Sequence, residues 1–150
     1  MKATQVLMVD HEEVYTMLNT LLSGAMDATD AGLFGRLREA LKIHTAAEEQ
    51  IFYPALENFE ETKELISESY TEHKAVDELL ASMTPGDENW DDKISQLNQM
   101  VKHHAEEEEE RLFPQAERLL GEDELNAMGQ KIIGLKAEKP ATTVAATKFS

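Results

Sequence analysis

Apolar residues recur along this chain at steps of three and four, and nowhere alternate one in two over the length a strand needs. The first such series takes Leu7, His11, Val14, Leu18 and Leu21, and Gly24 with the stretch Asp27–Gly32 breaks it. A second takes Leu37, Leu41, His44, Glu48, Ile51 and Ala55. Within it Pro54 has no N–H to give and crowds the carbonyl of Gln50, so a kink or a helix end is expected there. A third series takes Ile66, Tyr70, His73, Val76, Leu80 and Met83, and Thr84-Pro85-Gly86-Asp87 closes it with loop chemistry. The fourth takes Trp90, Ile94, Leu97, Val101, His104, Glu108 and Leu112, with Pro114 in the role of Pro54 and Gly121 as a C-terminal stop. Four helices of this length with short links predict an all-α, antiparallel up-down-up-down four-helix bundle over residues 1–120. A short helical segment near 122–136 and a flexible tail from 138 onward make up the remainder, residues 121–150.

The stripes carry polar residues where a core is expected: His11, His44, Glu48, His73, His104 and Glu108. Burying an unpaired carboxylate costs several kcal/mol, and an unpaired imidazole less. Six such groups would cancel a net folding stability of about 5–15 kcal/mol, so something must satisfy them. An internal repeat says what. Residues 41–54 align without a gap on residues 101–114, matching His44 to His104, Glu48 to Glu108, Glu49 to Glu109 and Pro54 to Pro114. Each copy holds His-x-x-x-Glu, one helical turn apart on one face. In an antiparallel bundle His11 and His73 reach the same level, and four imidazoles with two carboxylates there form a site for two divalent metals. Nitrogen and oxygen donors without thiolate suit iron or manganese, with zinc also compatible. Each carboxylate can bridge both ions while each ion takes two histidines. A solvent-derived oxo or hydroxo bridge then leaves a position open to dioxygen, peroxide or nitric oxide.

Around these six the pattern leaves choices open. Glu49 and Glu109 either hydrogen-bond ligand imidazoles from behind or are plain helix charge. Tyr15 and Asp77 stand one turn after His11 and His73, where each either borders the pocket or is an ordinary bundle position. His103, about 100° around the helix from His104, is expected at the surface with most of the Glu106–Glu110 run. Met8, Met17, Met83, Met100, Phe52 and Phe113 read as core, and Trp90 as a lid at the far end of the bundle.

Composition narrows the functions further. A chain of 150 residues suits one domain, and the absence of cysteine excludes disulfides, iron–sulfur clusters and thiolate zinc sites. A formal charge of −16 repels phosphate backbones, so no nucleic-acid partner is expected. The apolar run Val6–Val9 is too short for a signal-peptide core, and nothing approaches the roughly 20 apolar residues of a membrane span. A cytoplasmic protein is the expectation.

The ordered set His11, His44/Glu48, His73, His104/Glu108 resembles the hemerythrin-like, HHE cation-binding family, whose pattern is His … His-x-x-x-Glu … His … His-x-x-x-Glu. The resemblance covers about residues 5–120 and implies a four-helix bundle around a non-heme di-iron centre that binds dioxygen or related small ligands. Oxygen-carrying hemerythrins place a second His where this chain has Asp77, and follow the fourth-helix His with Asp at i+5 where it has Glu108 at i+4. Those departures point away from a simple carrier, toward members that sense dioxygen, peroxide or nitric oxide, respond to stress or handle iron. A di-iron enzyme, consuming peroxide or donating iron to damaged iron–sulfur clusters, is the alternative within this chemistry. A metal-free acidic helical interaction module is the alternative outside it.

Overall fold

The computed structural model describes residues 1–24 and 28–138, and every described helical residue belongs to one antiparallel bundle. Helix α1 spans Ala3–Ser23, α2 Ala28–Ala47, α3 Lys63–Ala81, α4 Trp90–Glu107, α5 Phe113–Leu119 and α6 Glu122–Glu138. The loop expected after α3 is a turn in which Asp87 N–H bonds the Thr84 carbonyl, with Gly86 at φ 90°, a conformation that favours glycine. The break expected at Asp27–Gly32 is narrower than its glycine suggested, because α2 already runs from Ala28 through Gly32 and Gly35. Asp27 lies outside the described residues, as does the expected tail beyond Glu138.

Pro54 and Pro114 disturb their helices in the same way. Between α2 and the short 3-10 turn Tyr53–Ala55 the chain widens into a π turn, Glu48–Phe52, and between α4 and α5 into a second, Glu108–Leu112. Pro54 and Pro114 sit just after, at the start of the next element. A proline ring cannot follow an ordinary turn without striking the carbonyl four residues back, so the preceding turn opens to i→i+5 bonding. Tyr53 N–H accordingly bonds the Glu48 carbonyl, and Phe113 N–H the Glu108 carbonyl. The second helix ends soon afterward, whereas the fourth runs on into α5.

The apolar core divides in two. One cluster gathers Val14, Leu18, Leu37, Val76, Leu80, Ile94 and Leu97, with Trp90 buried edge-on against Phe34 at its end (5.0 Å, 88°). The other gathers Leu7, Phe52, Tyr53, Leu56, Ile66, Leu112 and Phe113, and also takes Leu125, Met128 and Ile132 from α6. Helix α6 therefore lies along α1 and α2 as a fifth rod. The approach is closest at Gly129, where a Cβ would stand 2.0 Å from the Met1 carbonyl oxygen. Met17 and Met100 are half-buried against the first cluster and Met83 lies within it, but Met8 is a correction: it is 43% exposed, one position around α1 from the buried Leu7.

Candidate metal centre

Between the two apolar clusters lies a layer of buried polar side chains. His11, His44, His73 and His104 are each less than a tenth exposed, and Glu48 and Glu108 at most 1%. Helices α1, α2, α3 and α4 supply one imidazole each, and the first residue of each π turn supplies a glutamate. The six fall into two overlapping groups, His11, His44, Glu48 and Glu108 on one side, and His73, His104, Glu48 and Glu108 on the other. In each group one nitrogen or oxygen per residue lies within 4.8 Å of all the others.

The Nε2 atoms face the shared carboxylates. His11 Nε2 is 3.1 Å from Glu108, His44 Nε2 3.3 Å from Glu48, His73 Nε2 2.9 Å from Glu48 and His104 Nε2 3.3 Å from Glu108. Each ring turns its other nitrogen to an acid that can only accept, so Nδ1–H is the donor. His11 Nδ1 donates to Glu109 (2.7 Å), His44 to Asp10 (3.0 Å), His73 to Glu49 (2.7 Å) and His104 to Glu72 (2.5 Å). Glu49 and Glu109 both stand behind imidazoles, reaching from one helical hairpin to the other. Asp10 and Glu72 do the same within a hairpin and were not singled out from the sequence. Their signal was there, since each is an acid directly before a histidine, His11 or His73.

Electrostatics follow from this packing. Burial works to discharge His44, but the charge of Glu48 and the hydrogen bond to Asp10 outweigh it and hold its pKa up at about 10. His73 and His104 are likewise raised against their burial, chiefly by Glu48 and Glu108 respectively. Burial opposes ionisation of Glu48 too, yet the surrounding imidazoles drive its pKa well down. Asp10 is lowered in the same contest by His44 and by an ion pair with Lys136 of α6.

Among the described residues two buried side-chain atoms have no hydrogen-bond partner, His44 Nε2 and Glu48 Oε2. They belong to the same group and face each other across the layer, which is what a cation between them would satisfy. A donor set of imidazole nitrogens and carboxylate oxygens, with Nδ1 tied back in every case, fits a pair of first-row divalent metals. On the side of the first apolar cluster a cavity of about 30 Å³ opens over all four imidazoles, walled by Val14, Leu41, Val76, Val101 and Ala105.

One further polar group enters the layer. The Tyr53 hydroxyl donates to Glu108 Oε2 at 2.5 Å, and its oxygen is 3.1 Å from Glu48 Oε1, 3.2 Å from His73 Nε2 and 3.4 Å from His104 Nε2. Burial, then the charges of Glu48 and Glu108, push its pKa well above the usual value. Nothing in α-helical spacing pointed to it, because five residues after Glu48 an α-helix has turned about 140° away. The π turn brings residue i+5 back over residue i. Tyr15 is half-buried, its pKa pushed up to about 12 by burial and then by the charges of Glu109, Glu106 and Glu12. Asp77 does not border the layer: it is exposed and lines a surface groove with Arg38 and Lys42, because α3 presents it outward. His103 is exposed, 3.6 Å from Glu72.

The chain is similar to several known proteins. The Hemerythrin HHE cation binding domain matches residues 2–116. A DNA nickase of Nostoc sp. (strain PCC 7120 / SAG 25.82 / UTEX 2576) is 28% identical over 116 residues, 75% of this chain and 33% of that protein. A hemerythrin-like protein of Schizosaccharomyces pombe (strain 972 / ATCC 24843) is 33% identical over 86 residues, 54% of this chain and 42% of that protein. The chain thus spans less than half the length of these curated relatives. The crystal structure of a hemerythrin HHE cation binding domain-containing protein from Mycobacterium kansasii shares the fold, with a TM-score of 0.86 at 22% identity over 99% of this chain and 93% of that one.

Proposed function

The chain belongs to the hemerythrin HHE cation-binding family, and from that premise we propose that it is a non-heme di-iron protein. It binds dioxygen, peroxide or nitric oxide at a carboxylate-bridged centre and serves sensing, stress response or iron handling. The observation that carries this is the pair of overlapping four-residue groups sharing Glu48 and Glu108, with two buried atoms that lack any other partner.

In this reading His11 and His44 would hold one ion and His73 and His104 the other, with Glu48 and Glu108 available to both. When bound, an iron pair supplies Lewis acidity and accessible redox states. The chain supplies the rest. Glu109, Asp10, Glu49 and Glu72 fix each imidazole in the Nδ1–H tautomer, which leaves Nε2 free to ligate and makes it more basic. The small cavity, walled mainly by aliphatic side chains with Thr45 beside them, suits a diatomic or peroxide and leaves no room for a larger organic substrate.

No helix among the described residues is long and apolar enough to cross a membrane. The likeness to a DNA nickase covers a third of that protein, and the charge of −16 argues against a phosphate backbone as the ligand of this chain. Elemental analysis of freshly purified protein, together with its visible spectrum, tests the reading. About two irons per chain with oxo-bridge charge-transfer bands are expected for a bundle of this donor set. Protein that retains no transition metal and takes up no iron on reconstitution refutes it.

A further inference from the structure

The repeat makes the centre nearly twofold, and the place where that symmetry fails is informative. In the gapless alignment of residues 41–54 on 101–114, Tyr53 falls on Phe113. Both follow a π turn whose first residue is a central glutamate, and both are swung over that glutamate by the same i→i+5 bond. Phe113 lies flat against His11 (centroids 6.0 Å, planes 7° apart) and brings no polar atom. Tyr53 brings a phenol oxygen to within 3.4 Å of one atom from each of Glu48, His73, His104 and Glu108, the whole of the second group.

A phenol has one proton, and Glu108 Oε2 at 2.5 Å takes it. With Nδ1–H of His73 and His104 committed to Glu49 and Glu72, a metal-binding Nε2 has only a lone pair to offer inward. Two imidazole lone pairs, two carboxylate oxygens and a phenol oxygen then converge on one point, which a cation satisfies and a single proton does not.

We propose that Tyr53 is a fifth protein ligand, as phenolate, to the metal ion held by His73, His104, Glu48 and Glu108, and that the ion held by His11 and His44 has no such ligand. This rests on the di-iron reading above. On binding, the phenol O–H bond breaks as the oxygen–metal bond forms, the proton leaves to water by way of Glu108, and no electron changes hands. The two ions would therefore be inequivalent.

The chain has three tyrosines, Tyr15, Tyr53 and Tyr70, so a phenolate signal can be assigned by substitution. Full-length protein is loaded with iron, oxidised, and read by visible absorption and resonance Raman spectroscopy, with iron content measured on the same samples. A phenolate-to-iron(III) band with enhanced phenolate ring modes is expected in the unsubstituted protein. Both should vanish in Tyr53→Phe while both irons stay bound. Phenylalanine is already accommodated at the equivalent position, and the unsubstituted spectrum decides the matter even if that variant folds poorly. Two bound irons without phenolate modes, or modes that survive Tyr53→Phe, overturn the Tyr53 assignment and leave the di-iron reading standing. Failure to bind iron at all overturns both.

Discussion

Replacing Asp10 by Asn should weaken one metal position and spare the other. Asp10 is 6% exposed, accepts from His44 Nδ1 at 3.0 Å through one oxygen, and pairs with Lys136 through the other. Asparagine keeps the volume and one acceptor, so the His44 ring keeps its orientation. What is lost is the charge that makes the imidazole a stronger base. Removing the partner behind a metal-bound histidine costs about 10–100-fold in metal affinity, or about 1.4–2.8 kcal/mol at 1.4 kcal/mol per tenfold. His73 and His104 rest on Glu49 and Glu72, not on Asp10, so the loss should fall on the position beside His11 and His44. Competition against a calibrated chelator should resolve one weakened step and one unchanged step. Glu72→Gln should weaken the opposite step. Lys136→Met removes the ammonium and leaves the carboxylate behind His44, and should cost much less than Asp10→Asn. Equal weakening of both steps by Asp10→Asn, no change in either, or a Lys136→Met effect as large, would each refute the reasoning.

Three other outcomes are open to direct measurement. Chelation should lower the melting temperature: free metal at 100 times its Kd stabilises by about 2.7 kcal/mol per ion, and at about 2–4 °C per kcal/mol two ions amount to a shift of about 10–20 °C in a chain of this size. Calorimetry with and without chelator checks it, and identical melting curves would count against any resident metal. Gly129→Ala should cost about 1–3 kcal/mol in denaturant titration, because its Cβ meets the Met1 carbonyl at 2.0 Å, whereas Gly134→Ala, with nothing within 4 Å, should be neutral or slightly stabilising. Ile132→Ala should cost about 2–5 kcal/mol if α6 is part of the cooperative core, while Met8→Ala at the exposed face of α1 should change stability by less than about 0.5 kcal/mol.

The parts of this centre that could be read from the sequence are those governed by spacing along a single helix. His44 with Glu48 and His104 with Glu108 lie four apart on apolar stripes, and their repetition marks the four out as one set. Asp10 and Glu72 were hidden because their neighbours are on other helices. Counted along α1 and α3 each lies about 100° from the stripe, and only packing shows that this turns it toward His44 or His104 instead of solvent. Tyr53 was hidden for a different reason: α-helical counting fails across a π turn, although Pro54 announced that something there had to give. Asp77 has the opposite lesson. It shares a helix face with His73 by count, yet it is exposed and lines a surface groove with Arg38 and Lys42. Helix α6 was foreseen as a short segment because its burial depends on Gly129 meeting the N-terminal backbone, a contact between the two ends of the fold.

A metal site whose ligands charge one another should reveal itself through pH. Without a cation, His44 is held up at about 10 from an ordinary 6.5, with His73 and His104 also raised, while Glu48, Asp10 and Glu72 are lowered. Raised histidines stabilise the fold fully below the unfolded value near 6.5, and for His44 that contribution is lost as pH climbs through about 10. Lowered carboxylates contribute above their unfolded values near 4 and lose it as pH falls below. Chelated protein should therefore be most stable from about pH 4.5 to 6.5 and weaken from there toward pH 10. Metal binding runs the other way, since the Nε2 atoms of His44, His73 and His104 must give up a proton before they ligate, and affinity grows with pH over the same window. The gap between the melting temperatures of loaded and chelated protein should widen steadily from about pH 6 to about pH 9. An acidic bundle with an incidental polar core would show the same decline with and without metal. Parallel curves, or a gap that narrows with rising pH, would mean that protons and metal do not compete for His44, His73 and His104.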